Sequence, residues 1–313
     1  MRLILNAGPL PERYKKVVAA IGVFDGLHRG HQQVIASAVA AARAIKGTSM
    51  VVTFFPHPVA VLHPVDFNGY VVSLEHRIRL IKDLGVDVCY VVPFTKAFSR
   101  RSAESFVRGV LKERLRVVKV AVGTDFHFGC QRRGSTDLFS KFGIGVEAVP
   151  IIKLNNINIK TKFIKQLVAE GDLRRVKSFL GRDYGMLAEV ERGQGVGRRL
   201  GFPTANLKWE NVITLPSGIY IVRVSIGEKK FNGVFYIGSR PTFAGQPKRG
   251  ALEAHVFDYK GNLYGKVIGV DFLKKIRDDH AFPDERSLSQ AIARDVRSAR
   301  LFFMKNPLQT IAS

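Results

Sequence analysis

His28 and His31 stand three residues apart in the run Gly22-Val23-Phe24-Asp25-Gly26-Leu27-His28-Arg29-Gly30-His31. An apolar stretch, 17–21, precedes this run, and a helix-like stretch, 32–45, follows it. Strand, glycine-bearing turn and helix start in that order make a phosphate cradle. The first turn of a helix offers free backbone N–H groups and the positive end of the dipole to an anion. Two imidazoles one turn apart face the same ligand and donate hydrogen bonds to phosphate oxygens as charge shifts. Gly22 and Phe24 belong to the same turn, and Gly26 and Gly30 keep Cβ atoms away so that backbone can approach a nucleotide. No side chain here resembles a covalent nucleophile, and Asp25 suits orienting a histidine or a substrate hydroxyl. Zinc needs three or four ligands, and the only cysteines, Cys89 and Cys130, are far from the pair.

A second group of residues lies at 193–206. Thr204 and Asn206 offer a hydroxyl and an amide carbonyl two residues apart, on the same side of an extended segment. Hard oxygens of this kind suit Mg²⁺, which also keeps waters and phosphate oxygens. Gly193, Gly195, Gly197 and Gly201 form a loop able to close over phosphates, with ordinary turn glycines as the alternative. That loop has Arg198 where the dinucleotide fingerprint needs its third glycine. Gly265-Lys266 runs into Val267 and so lacks the P-loop hydroxyl. ATP must be held in some other way.

The elements that position these groups follow from two different rhythms. Over 15–182, β-like runs (17–24, 50–55, 86–92, 117–122, 146–152) alternate with helical ones (32–45, 74–84, 103–115 with Ser102 as N-cap, 136–142). That alternation predicts an α/β domain, a Rossmann-like parallel sheet with ligands at the carboxyl ends of its strands. From 183 onward, short strands (185–191, 218–226, 229–236, 251–259, 266–273) separated by Gly, Pro and Asn predict a small antiparallel β-barrel. A C-terminal helix over 285–303 should pack across it. The predicted domains are therefore 1–182 and 183–313, joined directly through 172–181.

With 313 residues, 46% of them hydrophobic and 24% charged, the chain fits a two-domain globular protein. Apolar stretches such as 86–94 fall well short of the roughly 20 residues a membrane helix needs, so no membrane span is expected. Two cysteines without an evident partner fit a reducing cytoplasm. Lys and Arg number 49 against 26 Asp and Glu, a net charge of +23 that concentrates polyanions such as ATP. The basic residues are spread along the chain, which argues against a dedicated nucleic-acid partner.

Taken together, these motifs resemble the bifunctional prokaryotic riboflavin kinase/FMN adenylyltransferase (FAD synthetase) family over about 17–300. In the first half the resemblance rests on the Gly22 to His31 run, on Thr53-Phe54-Phe55-Pro56-His57-Pro58, and on Gly123-Thr124-Asp125-Phe126-His127-Phe128-Gly129. In the second it rests on Gly197-Arg198-Arg199-Leu200-Gly201-Phe202-Pro203-Thr204-Ala205-Asn206, on Tyr236 to Thr242 and on Leu252-Glu253-Ala254-His255. The resemblance implies that riboflavin and ATP give FMN at the barrel, and that FMN and ATP give FAD and diphosphate at the α/β domain. It makes Glu253, which alone reads as a solvent-facing edge glutamate, the general base that accepts the riboflavin hydroxyl proton. It places Asp125, Phe126 and Phe128 at a flavin or adenine site, though aromatic residues at strand ends also serve as core, and Arg240 at the flavin or a phosphate, with a carboxylate partner as the plain alternative.

The chain departs from the family at one point. Members carry Ile-Ser-Ser-Thr-Arg-Ile-Arg shortly before a Gly-Asp pair, and here Ile159-Lys160-Thr161-Lys162-Phe163-Ile164-Lys165 precedes Gly171-Asp172. Thr161 keeps a hydroxyl, and Lys162 and Lys165 keep positive charge for phosphate. An ammonium is a point charge, however, and lacks the two-pronged guanidinium grip. Adenylyl transfer that survives in weakened form is the expectation. A kinase with a decayed first domain is one alternative, and a basic nucleic-acid-binding derivative is another. A homo-oligomer is compatible with all three.

Overall fold

The computed structural model describes residues 1–5, 10–193, 196–208, 212–238 and 251–307. It divides into two compact units, 1–164 with 179–181, and 165–178 with 182–313.

In the first unit, six strands form a fully parallel sheet: β1 (Arg2–Leu5), β2 (Val17–Ile21), β3 (Thr48–Phe55), β4 (Val88–Pro93), β5 (Val117–Gly123) and β6 (Gly145–Val149). Their order is β1-β4-β3-β2-β5-β6. Val17–Ile21 is buried throughout, as expected of a central strand covered on both faces. Core residues on one face include Val110 and Leu111, and those on the other come from helix α1 (Arg29–Ala44). Winding runs from β2 through β3 to β4, then reverses to β5 and β6. The carboxyl ends of β2 and β5 therefore flank the topological switch point, where a crevice forms. The two loops that leave these ends carry the His28 run and the Asp125 run.

Two elements differ from the expected pattern. Arg2–Leu5 pairs with β4 as an edge strand, a role its four residues do not announce. Ser102 does cap the expected helix, accepting from Ser105 N at 3.1 Å, but from Phe106 to Arg114 that helix continues as a π-helix.

The second unit is a closed antiparallel barrel of β7 (Tyr184–Glu191), β8 (Ala205–Leu207), β9 (Gly218–Ile226), β10 (Lys229–Gly238), β11 (Ala251–Val256) and β12 (Val267–Arg277). Around the barrel they follow the order β8-β11-β10-β9-β12-β7. The C-terminal helix Glu285–Lys305 buries Ala291, Asp295, Ala299 and Phe303, one face of the helix at four-residue spacing. Ala299 and Phe303 pack with Ile221, Val234 and Phe257 of the barrel unit.

The segment 172–181 expected to join the two domains holds the helix Leu173–Leu180, which follows the helix Thr161–Glu170, and 165–178 groups with the second unit. Leu167, Val168 and Val176 are buried, so this pair has an apolar face of its own to cover. At the turn between them, a Cβ on Gly171 (φ +78°) would lie 3.3 Å from the Pro216 ring.

Candidate functional site

In the first unit the chain leaves β2 through a tight turn. Phe24 (φ +53°) and Leu27 (φ +44°) adopt left-handed backbone that only a well-packed site sustains. Gly26 has φ +80°, and a Cβ there would meet Val71 Cγ1 at 2.9 Å. Asp25 is buried and accepts from Val71 N at 2.9 Å and Val72 N at 3.5 Å. Its carboxylate thus ties the turn to a segment 46 residues away, a structural use that its position in the motif does not reveal.

His28 is the N-cap of the Arg29–Ala44 helix, its Nδ1 accepting from His31 N at 3.2 Å. In neutral imidazole an accepting Nδ1 puts the proton on Nε2, making that nitrogen the donor. The two rings stack at 3.5 Å with 18° between planes, and Phe24 meets His31 edge to face at 5.3 Å. His31 Nδ1 is shielded from solvent and has no hydrogen-bond partner. Burial, then the charges of His28 and Arg77, hold the His31 proton affinity well below the ordinary imidazole range. This imidazole stays neutral near pH 7. A Cβ on Gly30 would press the His28 ring at 3.2 Å, so glycine there lets the ring take its place.

Thr161 comes to the same turn, its hydroxyl 3.5 Å from the Asp25 carbonyl. Lys162 is exposed, and Phe163 packs edge-on against Phe179 at 5.4 Å. Lys165 is buried and falls in the second unit. Beyond β5, Asp125 is exposed and Phe126 half-buried, whereas Phe128 is core, stacked on Phe139 at 4.8 Å and 9°. His57 caps the helix Pro58–Leu62, its Nδ1 accepting from Val59 N at 3.1 Å.

In the second unit, β8 and β11 bring together residues 47 positions apart in sequence. Asn206 lies directly opposite Glu253 in the antiparallel register, and Thr204 Oγ1 donates to Glu253 Oε2 at 2.9 Å. Tyr236 also lies opposite Glu253, from the other side. Its hydroxyl donates to Asp279 Oδ2 at 3.1 Å, and burial followed by the Asp279 and Glu253 charges pushes it up to about 12. The phenol therefore stays a donor. Neither Tyr236 nor Asp279 carries a chemical signature in the sequence; the available signal is the two-residue alternation that faces Tyr236 toward Glu253.

Around this group the backbone is close. A Cβ on Gly197 would strike the Phe202 carbonyl and lie 3.0 Å from Thr204 Oγ1, and one on Gly193 would overlap the Asn206 side chain. Gly201 has φ +85°, and Arg198 is exposed. Arg240 and Gly195 lie outside the described residues. Among the described residues no three His, Cys, Asp or Glu side chains converge as a metal site. The oxygens of Thr204, Asn206 and Glu253 form a different kind of donor set.

Basic residues scattered along the sequence are not all scattered in space. Arg174, Arg175, Lys177, Lys230, Lys274 and Lys275 line one cleft of about 2000 Å³ in the second unit, which includes none of Thr204, Asn206 and Glu253. Among the described residues, Phe302 is the one aromatic side chain in its wall. Among the described residues no helix is long and apolar enough to cross a membrane.

Comparison with known proteins agrees with this two-part geometry. The FAD synthetase family model matches residues 10–163, and the riboflavin kinase family model matches 180–303. A bifunctional riboflavin kinase/FMN adenylyltransferase from Escherichia coli strain K12 is 34% identical over 308 residues, 97% of each chain. One of the same description from Pseudomonas fluorescens is 33% identical over 96% of this chain and 97% of its own. A solved Streptococcus pneumoniae structure, described as a macrolide-efflux protein, superposes with a TM-score of 0.83 at 27% identity, covering 96% of this chain and 99% of that one. With a sheet-based unit bearing one family's motif and a barrel bearing the other's, the chain belongs to the bifunctional riboflavin kinase/FMN adenylyltransferase family.

Proposed function

We propose that the barrel transfers the γ-phosphoryl group of ATP to riboflavin and that the parallel-sheet unit then transfers the adenylyl group of a second ATP to the FMN formed. The observation that carries this reading is the meeting of Thr204, Asn206 and Glu253 across β8 and β11. In the first reaction Glu253 accepts the proton of the riboflavin alcohol as its oxygen attacks the γ-phosphorus, and ADP leaves. Thr204 and Asn206 are all-oxygen donors beside a backbone that leaves no room for Cβ atoms, which fits Mg²⁺. Bound there, Mg²⁺ would neutralise charge on the triphosphate. Arg198 and Gly201 belong to the loop over the phosphates, and Arg240 is assigned to the flavin.

In the second reaction an FMN phosphate oxygen attacks the α-phosphorus of ATP and diphosphate leaves. Positioning and charge stabilisation suffice, with no covalent enzyme intermediate. His28 and His31 donate to phosphate oxygens, and the Gly22 to Gly30 turn supplies backbone N–H groups. Thr161 and Lys162 add a hydroxyl and a charge, and Asp125 and Phe126 are assigned to the flavin. Free Cys89 and Cys130 suit a reducing cytoplasm.

The test follows riboflavin with ATP and Mg²⁺ by chromatography. FMN followed by FAD is expected. FMN alone, with no FAD above that of a His28→Ala protein, overturns the second reaction, and absence of both products overturns the whole reading.

A further inference from the structure

Arg77 is fully buried on the helix Leu74–Asp83, and the reactions described above do not use it. A guanidinium keeps its proton in any protein environment, so this is a buried charge. Buried charges ordinarily sit against a carboxylate; the buried Asp25 carboxylate favours the Arg77 cation electrostatically, but among the described residues no carboxylate is hydrogen-bonded to it. Its Nη1 donates to the Val23 carbonyl at 2.9 Å, with the Phe54 carbonyl at 3.4 Å and Thr53 Oγ1 at 3.5 Å. Nε and Nη2 have no hydrogen-bond partner, and the Tyr70 ring lies 5.8 Å from the guanidinium. For stability alone, an apolar side chain of similar length would serve at least as well. The charge calls for another explanation.

Val23 supplies one. Its carbonyl, which also accepts from Thr53 Oγ1 at 2.9 Å, is the last backbone group before the left-handed turn at Phe24. The Phe24 ring in turn packs edge to face on His31, and His31 stacks on His28.

We propose that Arg77 is a positioning residue for adenylyl transfer. It pins the Val23 carbonyl, which fixes Phe24 and, through its ring, His31 where it stacks on His28. The lowered proton affinity of His31, to which Arg77 contributes after burial and His28, agrees with a guanidinium held close to this ring. In this arrangement an imidazole meets phosphate as a neutral donor of fixed direction. The inference rests on the adenylyltransferase reading of the first unit.

Arg77→Met, Arg77→Lys and Phe24→Leu proteins test it. Arg77→Met should keep wild-type riboflavin phosphorylation and an ATP KM for FAD formation within about threefold, while kcat for FAD formation falls on the order of 10²-fold, the scale of a small misplacement. Arg77→Lys should recover most of that loss. Phe24→Leu should reproduce the loss of kcat without touching Arg77. In imidazole NMR spectra His31 should titrate at higher pH in Arg77→Met than in wild type. Wild-type kcat in Arg77→Met, or a loss confined to KM, overturns the proposal, as does an unchanged His31 titration. If Arg77→Met does not fold, Phe24→Leu decides: wild-type kcat there overturns the proposed path. A wild-type protein that forms no FAD sinks the adenylyltransferase reading instead, and the His31 titration then still tests the positioning.

Discussion

Thr204, the residue just before β8, donates a hydrogen bond to Glu253 at 2.9 Å, and Asn206, two residues on, lies directly opposite that same glutamate. A carboxylate in this place has two uses, to hold the hydroxyl in position and to receive a proton from a substrate alcohol. Glu253→Gln keeps the shape and removes the base. FMN formation should fall by about 10²- to 10⁴-fold, the usual scale for a general base, while FAD formation from supplied FMN continues at the wild-type rate. Asn206→Ala should also depress FMN formation, and raising Mg²⁺ should restore part of its activity but none of that lost in Glu253→Gln. Chromatographic assay of each half-reaction separates these outcomes.

Phe163 stands where the family motif has an arginine, and its ring packs edge-on against Phe179 at 5.4 Å. Phe163→Arg exchanges that contact for a guanidinium on the helix whose first residue, Thr161, touches the Asp25 carbonyl. A hydrogen bond to a charged group contributes about 1.5–3 kcal/mol, so FAD formation should rise by roughly 10- to 100-fold. Lost aromatic packing should lower the unfolding temperature of the first unit. An unchanged adenylyl transfer rate in Phe163→Arg would show that the chain holds ATP phosphates without this position.

What the sequence discloses and what it conceals differ by range. Val17–Ile21, Thr48–Phe55 and the barrel strands are legible because burial on one or two faces writes itself into local alternation. The histidine pair and the Gly197 to Asn206 stretch are legible because their chemistry needs neighbours in sequence. Asp25 misleads, since its partner Val71 is 46 residues away and no local pattern records it. Arg77 is invisible for a related reason: in Leu74–Asp83 it sits among Glu75, His76, Arg79 and Lys82 and reads as part of a solvent face. Only the packing of that helix on β4, which sends the Arg77 side chain to the Val23 and Phe54 carbonyls, buries it. The three-residue strand Ala205–Leu207 is too short for periodicity, and in the helix pair after residue 160 the many Lys and Arg side chains mask the apolar spacing of Leu167, Val168 and Val176.

His31 makes the stability of the first unit depend on pH. Its proton affinity is low in the folded state and ordinary, near pH 6.5, in the unfolded chain. Below about pH 6.5 the unfolded state therefore binds the extra proton, and stability falls as pH drops toward the folded-state value. The slope contributed is at most about 1.4 kcal/mol per pH unit. Urea unfolding of wild type and His31→Gln between pH 5 and 8 should show the two curves parallel above pH 7 and diverging below 6.5, with the variant losing less. Curves that stay parallel throughout would mean that burial does not restrain this imidazole.

Arg277 anchors the C-terminal helix to the barrel through Asp295, with Nε 3.1 Å from both carboxylate oxygens and Nη2 2.9 Å from Oδ2. Asp295 is only 5% exposed and stands on the same helix face as Ala291, Ala299 and Phe303. Removing one partner of such a pair leaves the other charge uncompensated and costs about 3 kcal/mol or more. Asp295→Ala should thus lower barrel stability by that amount. An Asp295→Leu, Arg277→Met double variant should recover much of the loss, because neither charge is then stranded. Arg277 ends β12 and leads directly into Asp278 and Asp279, the latter holding the Tyr236 hydroxyl that faces Glu253. Asp295→Ala should for that reason raise the riboflavin KM as well as destabilise, while leaving FAD formation from FMN unchanged. Loss of stability with an unaltered KM would confine the pair to holding the helix.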